Sequence, residues 1–373
     1  MAAAPLVGGL VAHDWAWDTG DDRELYTARL VRDLHLPLDP LVTLLSDADG
    51  DACARGAGML SLLARGGSAE ARATLRTYIG AGEHWEDVLT TVAGAWPVAW
   101  WDDLADVVRS RLGGERPALW RAEPWKHWRD RLPVRFAEHP GPRQEVEVGP
   151  RTDRLLAVLA DPSEGDSAKG RALHRLAGRP PEPALLPLVP GLGSADGERP
   201  LPLLGRVVER LGAVALRYAR EWARDARPWL QWTGLDVLAR HGERRDLPRL
   251  TEALEQEWRD GNWCGPAALA AGLARHGSAA ADAVPTLRRY WWHTPHSCER
   301  PAYLKALAAI DPAGLESVHV EVLWDCEAES RLLGIASAPD LATVRRRLAY
   351  LAEDPMEEPE VRAAAESRLS EAR

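Results

Sequence analysis

The sequence predicts an all-α protein, a right-handed α-solenoid of helical hairpins with an irregular Trp/Pro-rich central linker. Three observations point there. The pentapeptide Leu-Ala-Arg-His-Gly stands at 238–242 and recurs 35 residues later at 273–277, with a near copy, Leu-Ala-Arg-Gly-Gly, at 63–67. Apolar residues at helical spacing precede and follow each copy, the signature of a repeated supersecondary unit. Prolines crowd the stretch 113–150, at 117, 124, 133, 140, 142 and 150, and forbid a long helix there.

Taken in order, Asp18–Leu36 reads as an amphipathic capping helix, with acids at its start and Leu30, Val31 and Leu34 on its apolar side. Each repeat then reads as helix, glycine cap, turn and second helix. The glycine is expected to supply the left-handed conformation that closes the first helix. Pro248, Pro285 and Pro312 are expected in first helical turns, where a missing N–H costs little. Glu145–Val148 alternates polar with apolar, so it is expected to be extended or a short strand. The stretch 180–202 is a second Pro/Gly-rich connection. The expected division is an N-terminal helical block over 1–112, a linker over 113–150 and a C-terminal solenoid over 151–373. One hairpin cannot bury its apolar face alone, whereas stacked neighbours can. On these motifs the chain resembles HEAT-repeat proteins over Asp39–Trp101 and Arg151–Leu369, which implies an α-solenoid fold and names no activity.

Composition narrows the function. The 373 residues carry a net charge of −10, with 46% hydrophobic and 27% charged residues, as in a folded domain. Of the 46 basic residues only Lys126, Lys169 and Lys305 are lysines; with a single Asn, this matches the coding bias of a GC-rich bacterial genome. An acidic chain lacks the footprint of a general DNA binder, so nucleic acid is disfavoured by net charge. Cys53, Cys264, Cys298 and Cys326 form no CxxC pair, so no disulfide framework or zinc ribbon is expected. The longest uncharged runs, such as Val88–Trp101, are shorter than a membrane span of about 20 residues. With no basic leader at Met1–Ala12, the expected compartment is the cytoplasm, with no membrane association.

Several motifs suggest chemistry and fall short of it. Asp47, Asp49 and Asp51 alternate as in a calcium loop, but the sixth position is Ala52 and the twelfth Gly58, so a turn feeding a helix N-terminus is expected. His293, His296 and Cys298 are zinc-ligand types, yet Pro295 marks a turn and no fourth ligand follows at zinc-finger spacing. Neither a metal nor a cofactor is expected, and no nucleophile elbow or phosphate loop is present.

The strongest constellation is Trp96-Pro97-Val98-Ala99-Trp100-Trp101-Asp102-Asp103-Leu104-Ala105-Asp106. Here the chain resembles the HEAT-like alkyl-purine DNA glycosylases, which carry a Trp-Trp-Asp-x-Val-Asp stretch. Trp100, Trp101 and Asp102 match. The resemblance implies indoles and a carboxylate facing a cationic damaged nucleotide, but the family's catalytic Asp falls on Ala105. Asp106 lies one residue further on, about 100° around a helix. The same residues also read as a helix start with its tryptophans in the core. Next, Trp120, Trp125 and Trp128 alternate with cations that include Arg121 and Arg129, a pattern that stacks bases, anchors a partner protein or packs inward under arginine stems.

The expected function is therefore a non-enzymatic macromolecule-binding scaffold. Its expected partner is a protein, held on the concave or Trp-rich surface by Trp100, Trp101, Asp102, Asp103, Asp106, Trp120, Arg121, Trp125, Trp128 and Arg129. The alternative is a HEAT-like glycosylase, or a catalytically decayed relative binding alkylated DNA. A third reading is an immunity or stress protein whose acidic surface recognises a cationic partner.

Overall fold

In the computed structural model, residues 3–13, 23–112, 122–129, 131–132 and 151–371 are described. They are helical throughout, and their one β-type pairing is an isolated antiparallel bridge between Gly193 and Pro200. In chain order the helices are α1 (Ala3–Ala12), α2 (Glu24–Asp33), α3 (Asp39–Leu45), α4 (Gly50–Arg65), α5 (Ala69–Ala81), α6 (Trp85–Ala95) and α7 (Ala105–Leu112). Then follow α8 (Thr152–Ala160), α9 (Asp166–Ala177), α10 (Leu204–Glu209), α11 (Leu216–Trp222), α12 (Pro228–His241), α13 (Leu247–Asp260), α14 (Pro266–Ala274), α15 (Val284–His293) and α16 (Arg300–Ile310). The last are α17 (Glu316–Glu321), α18 (Ala328–Ser337), α19 (Ala342–Glu353) and α20 (Pro359–Glu371). No described helix is long and apolar enough to cross a membrane. The Glu145–Val148 segment lies outside the described residues.

The chain forms two compact units, residues 1–142 with 316–373, and residues 143–315. The stretch 151–373 contributes to both units, and its last helices share a core with the first. Met356 is completely buried within the N-terminal cluster of Leu25, Leu60 and Leu63. A Cβ at Gly66 would stand 3.1 Å from its Sδ.

Polar contacts join the same two chain ends. Arg29 donates to Asp354 at 2.8 Å and to Glu357 at 2.7 Å, and Arg32 donates to the other Asp354 oxygen at 2.7 Å. Burial alone would raise both carboxyls. Hydrogen bonds from Arg32 and Arg29 outweigh it at Asp354, and the charges of Arg331 and Arg29 outweigh it at Glu357. Both carboxyls are thereby held below the usual carboxylate range. The first helix of this network keeps its apolar side on Leu25, Ala28 and Val31, while Leu34 is exposed.

α4 is the central helix of the first unit, with Ala52, Cys53, Ala57, Leu60 and Leu63 buried. Its N-terminus is capped as expected from the alternating acids: the Asp49 carboxylate accepts from the Asp51 N–H at 3.1 Å. α5 begins on Ser68, whose hydroxyl accepts from the Ala71 N–H at 3.1 Å. It buries only the narrow stripe Ala71, Leu75 and Ile79, leaving two flanks to other uses.

In the second unit α11, α12, α14 and α16 pack in series, with α13 and α15 alongside. Small residues set the spacing. A Cβ at Gly234 would come within 2.4 Å of the Ala223 backbone, and one at Gly272 within 2.6 Å of Ala239. The repeated glycine plays two different parts. Gly277 is left-handed at φ +54, as expected, whereas Gly242 is not, with φ −59. Gly242 is needed for space, since a Cβ there would lie 2.3 Å from the Leu238 carbonyl oxygen. Pro248 and Pro285 sit in first turns, as do Pro228, Pro266 and Pro301. Pro312 instead falls in the turn before α17.

Candidate functional site

The Trp-Trp-Asp-Asp stretch forms two 3₁₀ turns, Val98–Trp100 and Asp102–Leu104, that lead into α7. Trp101 lies at the break between them with 1% exposure, its indole N–H donating to the Trp96 carbonyl at 3.3 Å. Trp96 donates in turn to the Ser61 carbonyl at 3.2 Å. Trp125 and Trp128 from the following segment are equally buried and complete an edge-to-face cluster. Trp101 and Trp128 have ring centroids 5.4 Å apart, Trp125 and Trp128 6.2 Å, and Trp85 and Trp125 6.1 Å. Buried indoles in this geometry fill a core and present no face to a stacked base. Trp100 is half-buried, and the Arg72 guanidinium covers its ring at 4.8 Å.

The carboxylates are engaged by neighbours of the same chain. One Asp102 oxygen accepts from the Trp128 indole at 3.0 Å and from Arg131 at 2.8 Å, and lies 2.9 Å from His127 Nε2. The Trp128 and Arg131 bonds hold its carboxyl below the usual range. Asp103 takes a two-pronged contact from Arg76, at 3.0 and 2.6 Å, which depresses it likewise. Arg76 also donates to the Trp100 carbonyl at 2.5 Å. Asp106 is exposed and accepts from Arg109 at 2.6 Å. Asp102 is therefore met by the basic segment after it, Asp103 by α5 and Asp106 from within α7. Arg129 is exposed, while Trp120 and Arg121 lie outside the described residues. Ala105, at the position of the glycosylase Asp, is buried at the start of α7.

Near the second cluster of metal-ligand types, His296 Nδ1 lies 3.4 Å from Cys298 Sγ in the turn between α15 and α16. Among the described residues no three His, Cys, Asp or Glu side chains are grouped to hold a metal ion.

A concave feature of the first unit lies on the other flank of α5. Both α3 and α5 pack on α4 but hardly touch each other, leaving a groove of about 550 Å³ between them. Val42, Leu45 and Ser46 form one wall; Glu70, Ala73, Thr74, Thr77, Tyr78 and Ala81 form the other. The Tyr78 ring lies against Gly82, where a Cβ would meet it at 2.3 Å. Its hydroxyl accepts from Cys53 Sγ at 3.4 Å and from the His84 N–H at 3.3 Å, which fixes that wall. Sequence reading did not single this groove out. Its one signal is the stripe 70, 73, 74, 77, 78 and 81, which recurs at helical spacing and of which only Tyr78 packs against the core.

Compared with family models, curated proteins and solved structures, the chain matches none of them.

Proposed function

We propose that this protein is a non-enzymatic helical scaffold of HEAT-like hairpins that binds another protein, and that the groove between α3 and α5 is its binding surface. The observation that carries this reading is the groove itself: about 550 Å³, lined chiefly by small and apolar side chains, between helices that already share a rigid support in α4. Solenoid-type folds act through such surfaces between neighbouring helices. The reading moves the expected contact away from Trp101, Trp125 and Trp128, whose burial ties them to the core. It also leaves Asp102, Asp103 and Asp106 in structural ion pairs rather than on a ligand.

A photo-crosslinking residue placed at Thr77 in the native host tests this, with exposed Ser110 on α7 as the control position. The expected result is a discrete protein adduct at Thr77 and none at Ser110. The identified protein, once purified, should bind the wild-type chain with defined stoichiometry and lose the Ala73→Glu variant. Identical adducts at both positions, or undiminished binding to Ala73→Glu, would overturn the proposal.

A further inference from the structure

We infer that the occupant of the α3–α5 groove is a single amphipathic helix of the partner, about three turns long, with apolar anchors facing α5 and Lys or Arg along its flanks. The inference rests on the protein-binding reading above and adds the chemistry of what is bound.

Length and shape argue for a helix. The α5 wall runs from Glu70 to Ala81, about 16 Å at 1.5 Å per residue, which matches three turns laid alongside it. Its residues are small where a helix backbone must come close: Ala73, Thr74, Thr77 and Ala81. Leu45 and Val42 supply apolar contact from the other side, and Tyr78 gives a fixed aromatic wall with its hydroxyl already engaged. A groove of this kind takes anchors at i, i+3 or i+4, and i+7.

Charge argues for a basic one. Glu70 lines the groove, Asp39 stands one turn before Val42, Asp47 follows Ser46 and Glu83 follows Gly82. All four are exposed, and none is ion-paired among the described residues. The cations of α5 are turned to its opposite flank, Arg72 over Trp100 and Arg76 on Asp103. Arg111 reaches the end of α5, but its guanidinium is spent on the Ile79 and Gly82 carbonyls and over the Trp85 ring. Glu70 thus presents a carboxylate to the groove, and Asp39 and Glu83 flank its walls in sequence. Asp47, which accepts from the Asp49 N–H at 3.0 Å, adds negative charge beyond Ser46, so like charge on the partner would be rejected.

A displayed library of amphipathic helices tests this against the full chain. It holds apolar residues at the anchor spacing and varies the flanks among Lys, Arg, Glu, Gln and Ser. Enriched clones are expected to carry Lys or Arg flanks and to compete with one another. They should weaken at least about tenfold against Thr77→Arg, the scale of losing an interface anchor. Glu70→Lys should shift enrichment toward acidic flanks, and circular dichroism should show both variants folded. Flanks enriched in acids or without charge preference, binding undisturbed by Thr77→Arg, or self-association of the chain through this face would each overturn the inference. If no library helix binds while the crosslinked partner still depends on Ala73, protein binding stands and the helical occupant falls. If both fail, the groove has no such role.

Discussion

Arg331 and Glu357 face each other with both side chains fully excluded from solvent, Nη2 to Oε1 2.6 Å. Removing two such charges from water costs several kcal/mol each, so the pair depends on the further bonds around it. Of its polar atoms, these leave only Arg331 Nε without a partner among the described residues. Arg331 also donates to the Asp325 and Cys326 carbonyls at 2.8 and 2.6 Å, and Glu357 also accepts from Arg29. Glu357→Gln would leave the buried Arg331 guanidinium without its counter-charge and Arg29 with Asp354 alone. Denaturant unfolding should show a loss of about 3–5 kcal/mol, while an Arg331→Met/Glu357→Leu pair should lose less than the two single changes added together. Additive losses would mean that the two side chains do not act as a unit.

Acid should act on the same network. Asp354 and Glu357 have folded-state values below their ordinary ones, despite burial, because Arg29, Arg32 and Arg331 favour the charged forms. A depressed carboxyl contributes its full stabilisation above the unfolded value, about pH 4, and loses it as pH falls through the folded value. Unfolding midpoints should therefore hold steady from neutrality to about pH 5 and drop below about pH 4, where unfolded carboxyls take up protons first. Asp354→Asn should start lower at neutrality and fall less steeply in acid. An unchanged slope would place the acid sensitivity elsewhere.

How much of this was legible in the sequence follows from how local each feature is. The helix–turn–helix units around 238–242 and 273–277 announce themselves because capping and apolar spacing act within a few residues. The same locality made Asp49 readable as a cap. Gly242 shows the limit: its sequence context copies that of Gly277, yet one needs space and the other a left-handed backbone. Arg29 and Asp354 lie 325 residues apart, and no periodicity links them. The groove was invisible for a related reason. Ala73, Thr77 and Ala81 look like ordinary surface until α3 is placed beside α5 with little contact between them. The tryptophan excess could be located but not assigned, because a Trp beside Arg has the same pattern whether it packs inward or waits for a ligand.

Trp101 and Arg129 separate those two uses by measurement. Trp101 is buried among Trp96, Trp128 and His127, so Trp101→Ala should cost about 3–5 kcal/mol by loss of packing and a cavity. Arg129 is exposed, and Arg129→Glu should change stability by no more than about 0.5 kcal/mol. Thermal and denaturant unfolding check both. A mild Trp101→Ala would show that the indole is not a core staple, reopening the stretch as a binding surface.

Asp102 holds the turn 122–129 and Arg131 to the start of α7, since one carboxylate oxygen gathers the Trp128 indole, Arg131 and His127, while Arg109 adds a single bond to the Arg131 carbonyl. The turn has little helix of its own to resist opening, and Lys126 and Arg129 already stand exposed on it. Asp102→Ala should release it, which limited trypsin digestion would register as faster cleavage after Lys126 and Arg129. Near-ultraviolet circular dichroism should lose intensity as Trp125 and Trp128 leave their edge-to-face packing. Asp103→Ala is the control, because its partner Arg76 comes from α5 and not from the turn. Cleavage there should stay near the wild-type rate. Equal acceleration in both variants would mean that general loosening of the acidic turn, and not the Asp102 tether, governs the segment.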